Sequence, residues 1–215
     1  MTTPVKVKVC GITRPSDALL AAQLGASYVG FVFVPRSPRY IAPPRAADII
    51  ASLPARVIPV GVFVDLPRDR VLDVISASGI KIAQFHGSES PAFCESFGGF
   101  PVIKAFRVRP PFGLEDVSPY HVDVHLLDAY HPKLAGGTGE TFDWALAAPV
   151  AAKVRVMLSG GLTPENVTGA VEAVRPYAVD VSSGVEGAPG VKDPERMEAF
   201  FLNLERCGHH IVPPS

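Results

Sequence analysis

Cys10 occupies a position where a thiol could act as a general base. In the run 5–10, Lys8 and Cys10 fall on one face and the valines on the other, because side chains alternate along a strand. The valine face suits packing against helices, so Lys8 and Cys10 are predicted to point inward. A buried ammonium beside the thiol would favour the basic thiolate form. The competing interpretation is a buried structural cysteine, which we assign to Cys94 and Cys207 on predicted helices.

Two aspartates are candidates for the general acid that would work with this base. Asp128 closes an apolar run above Val124 and Leu126, where a carboxyl keeps its proton to higher pH. Asp180 also ends a run, but we expect the hydroxyls and backbone amides of the following Ser182–Gly184 turn to favour its ionised form. We therefore predict Asp128 as the acid. The competing interpretation is that this aspartate caps a helix or loop.

Two turns of small residues predict a phosphate site. One contains Gly160 and Gly161, and the other contains Ser182, Ser183 and Gly184. Glycines allow backbone N–H groups to converge on an anion, and in an eight-stranded βα barrel the loops after strands seven and eight are the usual phosphate-binding loops. Either turn alone has the simpler interpretation of a tight turn, but the pair predicts a phosphorylated ligand.

Arginine and histidine side chains are expected to complete the site. Arg36 and Arg39 follow the second apolar run, where one guanidinium can bind a substrate carboxylate and the other is expected to be solvated. His86 follows Gln84 on one strand face. The remaining histidines lack the spacing of metal ligands, so we expect no metal ion.

The elements that would position these residues alternate along the chain as βα units. Segments of helical length separate eight short Val/Ile/Phe-rich runs, near 5–10, 27–34, 57–64, 80–85, 101–106, 122–128, 153–158 and 178–182. This pattern predicts an α/β fold, a (β/α)₈ TIM barrel formed as a single domain over residues 1–215, with a frayed tail at about 208–215. A doubly wound sheet is the competitor, but the turn after Cys10 lacks the G-x-G-x-x-G pattern of a dinucleotide loop.

Composition narrows the classes of partner. The chain has 215 residues, of which 47% are hydrophobic and 19% charged, with a formal net charge of −1. This balance argues against nucleic acid or an anionic membrane as partner and favours a small molecule. Three scattered cysteines suit a reducing compartment. No signal peptide or membrane-spanning run is visible, so we expect a cytoplasmic protein. We also expect a monomer or a homodimer.

Several motifs together resemble those of the phosphoribosylanthranilate isomerase family of tryptophan biosynthesis. The resemblance runs in order from Val5 to about Phe200. It rests on Lys8-Val9-Cys10-Gly11-Ile12-Thr13, Gly30-Phe31-Val32-Phe33, Ser37-Pro38-Arg39-Tyr40, Gln84-Phe85-His86-Gly87, Gly136-Gly137-Thr138-Gly139, Phe142-Asp143-Trp144, Leu158-Ser159-Gly160-Gly161-Leu162 and Val179-Asp180-Val181-Ser182-Ser183-Gly184-Val185-Glu186.

The resemblance implies an isomerase that needs no cofactor and carries out an Amadori rearrangement by general acid–base catalysis. It would convert N-(5-phosphoribosyl)anthranilate, a phosphorylated aminoaldose, into 1-(2-carboxyphenylamino)-1-deoxyribulose 5-phosphate. Carried over to this sequence, the base is Cys10 and the acid is Asp128. The implied binding residues are Arg39 for the anthranilate carboxylate, His86 for the anthranilate side, Asp180 for the amine region, and Gly160, Gly161, Ser182, Ser183 and Gly184 for the phosphate.

Two alternative functions share this sequence pattern. The related aminoaldose isomerase of histidine biosynthesis, or a bifunctional form, would be expected to have an acid in place of Cys10. A non-catalytic barrel that binds sugar phosphates would keep the glycine turns but would need neither Cys10 nor Asp128.

Overall fold

Eight parallel strands close into a barrel in the computed structural model, which describes residues 5–129 and 143–206. Neighbouring strands pair in chain order, and the first strand pairs with the last. The predicted runs are confirmed as strands β1 Lys6–Cys10, β2 Tyr28–Val32, β3 Ile58–Phe63, β4 Ile82–Phe85, β5 Val102–Val108, β6 Val124–Ala129, β7 Val156–Leu158 and β8 Ala178–Val181. The (β/α)₈ barrel predicted from the alternation of elements is therefore correct.

Helices follow the strands and surround the barrel. Prolines occupy the first turn of α1, α2 and α4, where their missing N–H would in any case have no partner in the helix. Gly79 ends α3 in the left-handed conformation, which favours glycine. The helices are α1 Pro15–Gln23, α2 Pro43–Ala51, α3 Arg68–Ser78, α4 Pro91–Glu95, α5 Leu114–Val117, α6 Ala148–Ala151, α7 Val167–Val174 and α8 Pro194–Arg206.

Two apolar layers lie on opposite sides of the strands. The outward faces pack against the helices, in a layer that includes Val7 and Val9 of β1 and Phe200 of α8. The inward faces fill the barrel with a separate cluster that includes Tyr28 and Leu126. Lys8 and Cys10 belong to the inward face of β1, as the alternation predicts, because the valines of that strand join the outer layer.

Short elements near the C-terminal ends of the strands differ from the predicted pattern. A two-stranded antiparallel hairpin, β9 Glu186–Ala188 and β10 Val191–Lys192, follows β8 and was not predicted, because its strands are too short to produce a period-two signal. A 3-10 turn over Ser183–Val185 precedes the hairpin. In the segment of helical length between the sixth and seventh runs, a 3-10 turn over Trp144–Leu146 continues into α6.

Some sequence predictions concern residues outside the described ranges. These are the glycine loop 136–139, the third cysteine at position 207 and the tail at about 208–215. Among the residues that the structure does describe, no helix is long and apolar enough to cross a membrane.

Candidate active site

Cys10 and Lys8 lie side by side at the C-terminal end of the barrel interior, and a missing side chain on β2 leaves room for them. Gly30 pairs with Cys10 across the sheet. A Cβ atom at Gly30 would lie 2.7 Å from Cys10 Sγ, closer than Cβ atoms approach, and at a tight 3.2 Å from Lys8 Cε. Any larger residue at this position would therefore displace the candidate base.

Burial and charge act in opposite directions on the Cys10 thiol. Removal from water raises its pKa, and the Lys8 ammonium lowers it by a smaller amount. The Asp180 carboxylate raises it further, and the net effect is a pKa above the ordinary value for a thiol. The sequence argument identified the influence of Lys8 correctly but did not include the larger effect of burial. The resting form at neutral pH is the thiol.

Asp180 forms a buried ion pair with Lys8. Lys8 Nζ donates to Asp180 Oδ1 at 2.9 Å, and the lysine is 0% exposed. Although burial lowers the pKa of Lys8, the Asp180 and Cys10 side chains raise it more, so the ammonium form persists. Ser159 Oγ is the next polar contact of the carboxylate, at 3.5 Å. Ser182 Oγ, which was expected to face Asp180, donates instead to the Cys10 carbonyl oxygen.

Asp128 is buried beside an imidazole, in surroundings more polar than its own strand predicts. His86 Nε2 lies 3.0 Å from Asp128 Oδ2, and the backbone N–H of Ala129 donates to Oδ1 at 3.0 Å. Gln84 Nε2 lies 3.2 Å from the other ring nitrogen, His86 Nδ1. Alternation along β6 could reveal Val124 and Leu126 but not a side chain that reaches across the barrel from the end of β4.

Gln84 carries a polar atom without a partner. Its Oε1 is buried and accepts no hydrogen bond within the described part of the chain. With its Nε2 toward His86, the amide makes Nδ1 an acceptor and leaves the ring proton on Nε2, facing the Asp128 carboxylate. The three side chains thus form a line in which the orientation of the amide selects the tautomer of the imidazole.

The structure distinguishes the two arginines of the loop after β2. Arg36 is exposed, as expected for one of them. Arg39 extends over the end of β1, where a Cβ at Gly11 would lie 2.6 Å from Arg39 Cδ. Its guanidinium pairs with the buried Glu186, at 2.7 Å between Nη2 and Oε2. Sequence reasoning did not identify Glu186 as a partner, because 147 positions separate the two residues.

The two small-residue turns meet at the same end of the barrel. Gly160 and Gly161 both have positive φ, at +86° and +66°, and a Cβ on Gly160 would collide with the backbone of Ala129. A Cβ on Gly184 would collide with the carbonyl oxygen of Leu162, so the two turns are in backbone contact. Within the described residues, the N–H groups of Gly160 and Gly161 donate no hydrogen bond. This geometry suits an anion held by backbone amides.

The predicted residues gather at one end of the barrel. Arg107, to which the sequence argument gave no role, is exposed and pairs with Asp128 in the register of β5 and β6. No group of three or more His, Cys, Asp or Glu side chains with metal-binding geometry occurs in residues 5–129 and 143–206. The arrangement offers a thiol, a carboxyl next to an imidazole, a guanidinium and an anion-binding pair of turns.

Comparison with known proteins gives consistent matches over nearly the whole chain. A family model described as N-(5'phosphoribosyl)anthranilate (PRA) isomerase matches residues 7–203. The N-(5'-phosphoribosyl)anthranilate isomerase of Geobacter sulfurreducens is 50% identical over 197 residues, covering 92% of this chain and 97% of that protein.

Solved structures agree with the sequence matches. The phosphoribosyl anthranilate isomerase of Thermus thermophilus superposes with a TM-score of 0.88 at 46% identity, covering 94% of this chain and 99% of that one. A phosphoribosyl anthranilate isomerase crystallised with reduced 1-(o-carboxyphenylamino)-1-deoxyribulose 5-phosphate gives a TM-score of 0.81 at 40% identity, with the same coverage. The chain belongs to the N-(5'-phosphoribosyl)anthranilate isomerase family.

Proposed function

We propose that this chain catalyses the Amadori rearrangement of N-(5-phosphoribosyl)anthranilate to 1-(2-carboxyphenylamino)-1-deoxyribulose 5-phosphate. The observation that carries the proposal is the placement of a buried thiol and a buried carboxyl at the ends of β1 and β6, both on the inward face. These strands lie three steps apart around the closed barrel, so a sugar between them can meet an acid and a base on different sides. Family membership and the paired anion-binding turns support the same reaction.

Asp128 acts first, as the general acid that opens the furanose ring. It protonates the ring oxygen while the bond from that oxygen to C1 breaks, and the lone pair of the anthranilate nitrogen forms the C1=N bond of an iminium ion. Asp128 can carry this proton on Oδ1 while its Oδ2 accepts from the His86 Nε2–H. The Gln84 amide supports this tautomer of His86, because its Nε2 lies against Nδ1.

Cys10 acts second, as the general base. The thiolate removes the proton from C2, the electron pair of that bond forms C1=C2, and the C1=N pair returns to nitrogen. The resulting enol then gives up its hydroxyl proton while C1 gains one, which produces the ketone. The thiolate forms from the resting thiol by loss of its proton to solvent at the mouth, and the cationic iminium and the Lys8 ammonium favour this loss against the effect of burial.

The remaining residues of the site bind the two charged ends of the substrate. Arg39 binds the anthranilate carboxylate, and His86 lines the anthranilate side. Asp180 faces the amine region while it holds Lys8 beside the thiol. The phosphate is bound by the turns that contain Gly160, Gly161, Ser182, Ser183 and Gly184. The two turns are in contact, and the N–H groups of Gly160 and Gly161 donate to no acceptor among the described residues.

An isomerase assay on the purified chain tests this function against its two alternatives. Without added metal or nucleotide, and with a chelator present, the chain is expected to turn over N-(5-phosphoribosyl)anthranilate and not the aminoaldose of histidine biosynthesis. Turnover of only the histidine-pathway substrate would contradict the assignment. Binding of both sugar phosphates without turnover of either would identify a non-catalytic binding barrel instead.

A further inference from the structure

Glu186, the first residue of the hairpin after β8, holds one edge of the Arg39 guanidinium. Arg39 Nε donates to Glu186 Oε1 at 2.9 Å and to Oε2 at 3.2 Å, and Arg39 Nη2 donates to Oε2 at 2.7 Å. A guanidinium has five N–H groups in a fixed plane. This contact uses the Nε–H and one Nη2–H, which leaves the second Nη2–H and both Nη1–H groups for another acceptor.

The Glu186 carboxylate is itself fixed from a second direction. Lys192 is 1% exposed, lies opposite Glu186 in the β9–β10 pairing, and donates to Glu186 Oε1 at 2.8 Å. The same ammonium donates to the carbonyl oxygen of Ser182 at 3.1 Å. Burial alone would raise the pKa of Glu186, but the Arg39 hydrogen bond and the Lys192 charge lower it by more, so the carboxylate is ionised.

Charge and position make Arg39 able to accept a further anion. The single Glu186 carboxylate is shared between Arg39 and Lys192, so it does not satisfy all the donors of the guanidinium. The Arg39 side chain covers the end of β1 directly after the candidate base, as its contact with Gly11 requires. The free edge of the guanidinium is therefore available at the mouth of the barrel, where a second carboxylate can form a bidentate pair.

We propose that Glu186 is a positioning residue that fixes Arg39 by its Nε edge so that the Nη1–Nη2 edge recognises the carboxylate of the substrate. The proposal rests on the proposed function, in which Arg39 binds that carboxylate. Through Lys192 and the Ser182 carbonyl, the same chain of contacts links the carboxylate-binding arginine to the turn proposed to bind phosphate. Glu186 thereby sets the distance between the site that binds the carboxylate of the ligand and the turn that binds its phosphate.

The test compares two ligands that differ only in the carboxyl group. The first is reduced 1-(o-carboxyphenylamino)-1-deoxyribulose 5-phosphate, and the second is the same compound with an unsubstituted phenyl ring. Calorimetry with Glu186→Gln is expected to show about 10-fold weaker binding of the carboxylated ligand, since a misplaced guanidinium loses a charge-assisted hydrogen bond. Binding of the carboxyl-free ligand should stay within about twofold, which also demonstrates that the variant is folded.

Two further variants separate the possible outcomes. Arg39→Met is expected to remove the preference for the carboxylated ligand, and adding Glu186→Gln to it should change that preference no further. Glu186→Asp keeps the charge but shortens the side chain, so it should lose part of the preference for the carboxylated ligand. It provides a second measurement of this preference if the glutamine variant does not fold.

Failure of this inference differs from failure of the proposed function. If Arg39→Met keeps the full preference for the carboxylated ligand, Arg39 does not bind the carboxylate, and the binding role assigned under the proposed function is wrong. If Arg39→Met loses the preference while Glu186→Gln keeps it, only the role of Glu186 is wrong. Equal weakening of both ligands by Glu186→Gln would identify a structural residue and would also overturn the inference.

Discussion

The two ends of the barrel use two lysines of β1 in different ways. Lys8, at the mouth, is fully buried and pairs with the Asp180 carboxylate. Lys6, two residues earlier on the same face, lies at the opposite end and donates to the phenol of Tyr177 at 2.8 Å. Tyr28 completes this basal group at 3.1 Å from the Tyr177 oxygen.

The electrostatic surroundings of the two lysines explain the difference. At the base, burial alone would raise the pKa of Tyr177, but hydrogen bonds from Lys6 and Tyr28 lower it, and partial exposure lets water replace any contact that is lost. At the mouth, Lys8 and Asp180 depend on each other because neither reaches much solvent. The lysine at the base is therefore partly hydrated, whereas the lysine at the mouth needs its buried counter-charge. Substitutions at the two ends should have different consequences.

The largest expected effect is the loss of turnover in Cys10→Ser. Serine keeps the approximate shape, but its hydroxyl is far less acidic than a thiol, so kcat should fall about 10²–10⁴-fold. Affinity for the reduced product analogue should change little. Cys94→Ser, at the other buried cysteine of the described chain, is the matched control and should keep the parent turnover. Loss of turnover in the Cys94 variant instead would transfer the role of base away from Cys10.

The second prediction separates the two aspartates at the mouth. Asp128→Asn should lower kcat about 100-fold or more with little change in KM, because the amide cannot supply an acidic proton. Asp180→Asn should keep more activity but lose about 3–5 kcal/mol of stability, since it leaves the Lys8 ammonium buried without its counter-charge. Kinetics and urea unfolding of both variants measure these effects. An inactive but fully stable Asp180→Asn, beside an active Asp128→Asn, would exchange the two roles.

The third prediction concerns the pH dependence of thiol reactivity at the mouth. Burial raises the pKa of Cys10 above its usual value and that of Cys94 to about 11. Because only the thiolate is alkylated, a raised pKa moves reactivity to higher pH. Alkylation by iodoacetamide, followed by mass spectrometry of the peptides, should therefore be slow at pH 7 for both cysteines and rise through the alkaline range. Half-maximal labelling of Cys10 near neutral pH would mean that Lys8 outweighs burial.

The smallest expected effect is at the base. Tyr177→Phe removes the oxygen that accepts from Lys6 and contacts Tyr28, so the free energy of unfolding should fall by about 1 kcal/mol. Turnover should equal that of the parent, because no group at the mouth is touched. Tyr120→Phe, which removes a phenol outside the barrel interior, serves as a control for general effects of losing a hydroxyl. A clear loss of kcat in Tyr177→Phe would contradict the claim that the base of the barrel does not affect turnover.

Local periodicity was enough to predict the strands and the inward faces of β1 and β6, and the alternation of strands and helices predicted the barrel. Alternation placed Cys10, Lys8 and Asp128 inside the barrel, and glycine spacing identified both turns. These features depend on residues close together in the chain, which is why the sequence reveals them.

The partners of these residues could not be predicted in the same way. His86 reaches Asp128 across the barrel from a strand that is not its neighbour, and Glu186 meets Arg39 between two distant loops. Such contacts depend on barrel closure and on the unforeseen β9–β10 hairpin. Periodicity along a single strand contains no information about either, so the surroundings of Asp128 and Asp180 were predicted less well than their positions.

The pairing of the first strand with the last has a consequence for how the protein is made. Lys8 and Asp180 are 172 positions apart, so at translation rates of about 5–20 residues per second the lysine waits roughly 10–30 s for its partner to be synthesised. Until β8 docks, the ammonium of Lys8 must stay hydrated, and one edge of β1 has no strand to pair with. The catalytic end of the barrel is therefore among the last parts of the molecule to assemble, and a nascent chain released before β8 exposes an unpaired strand edge.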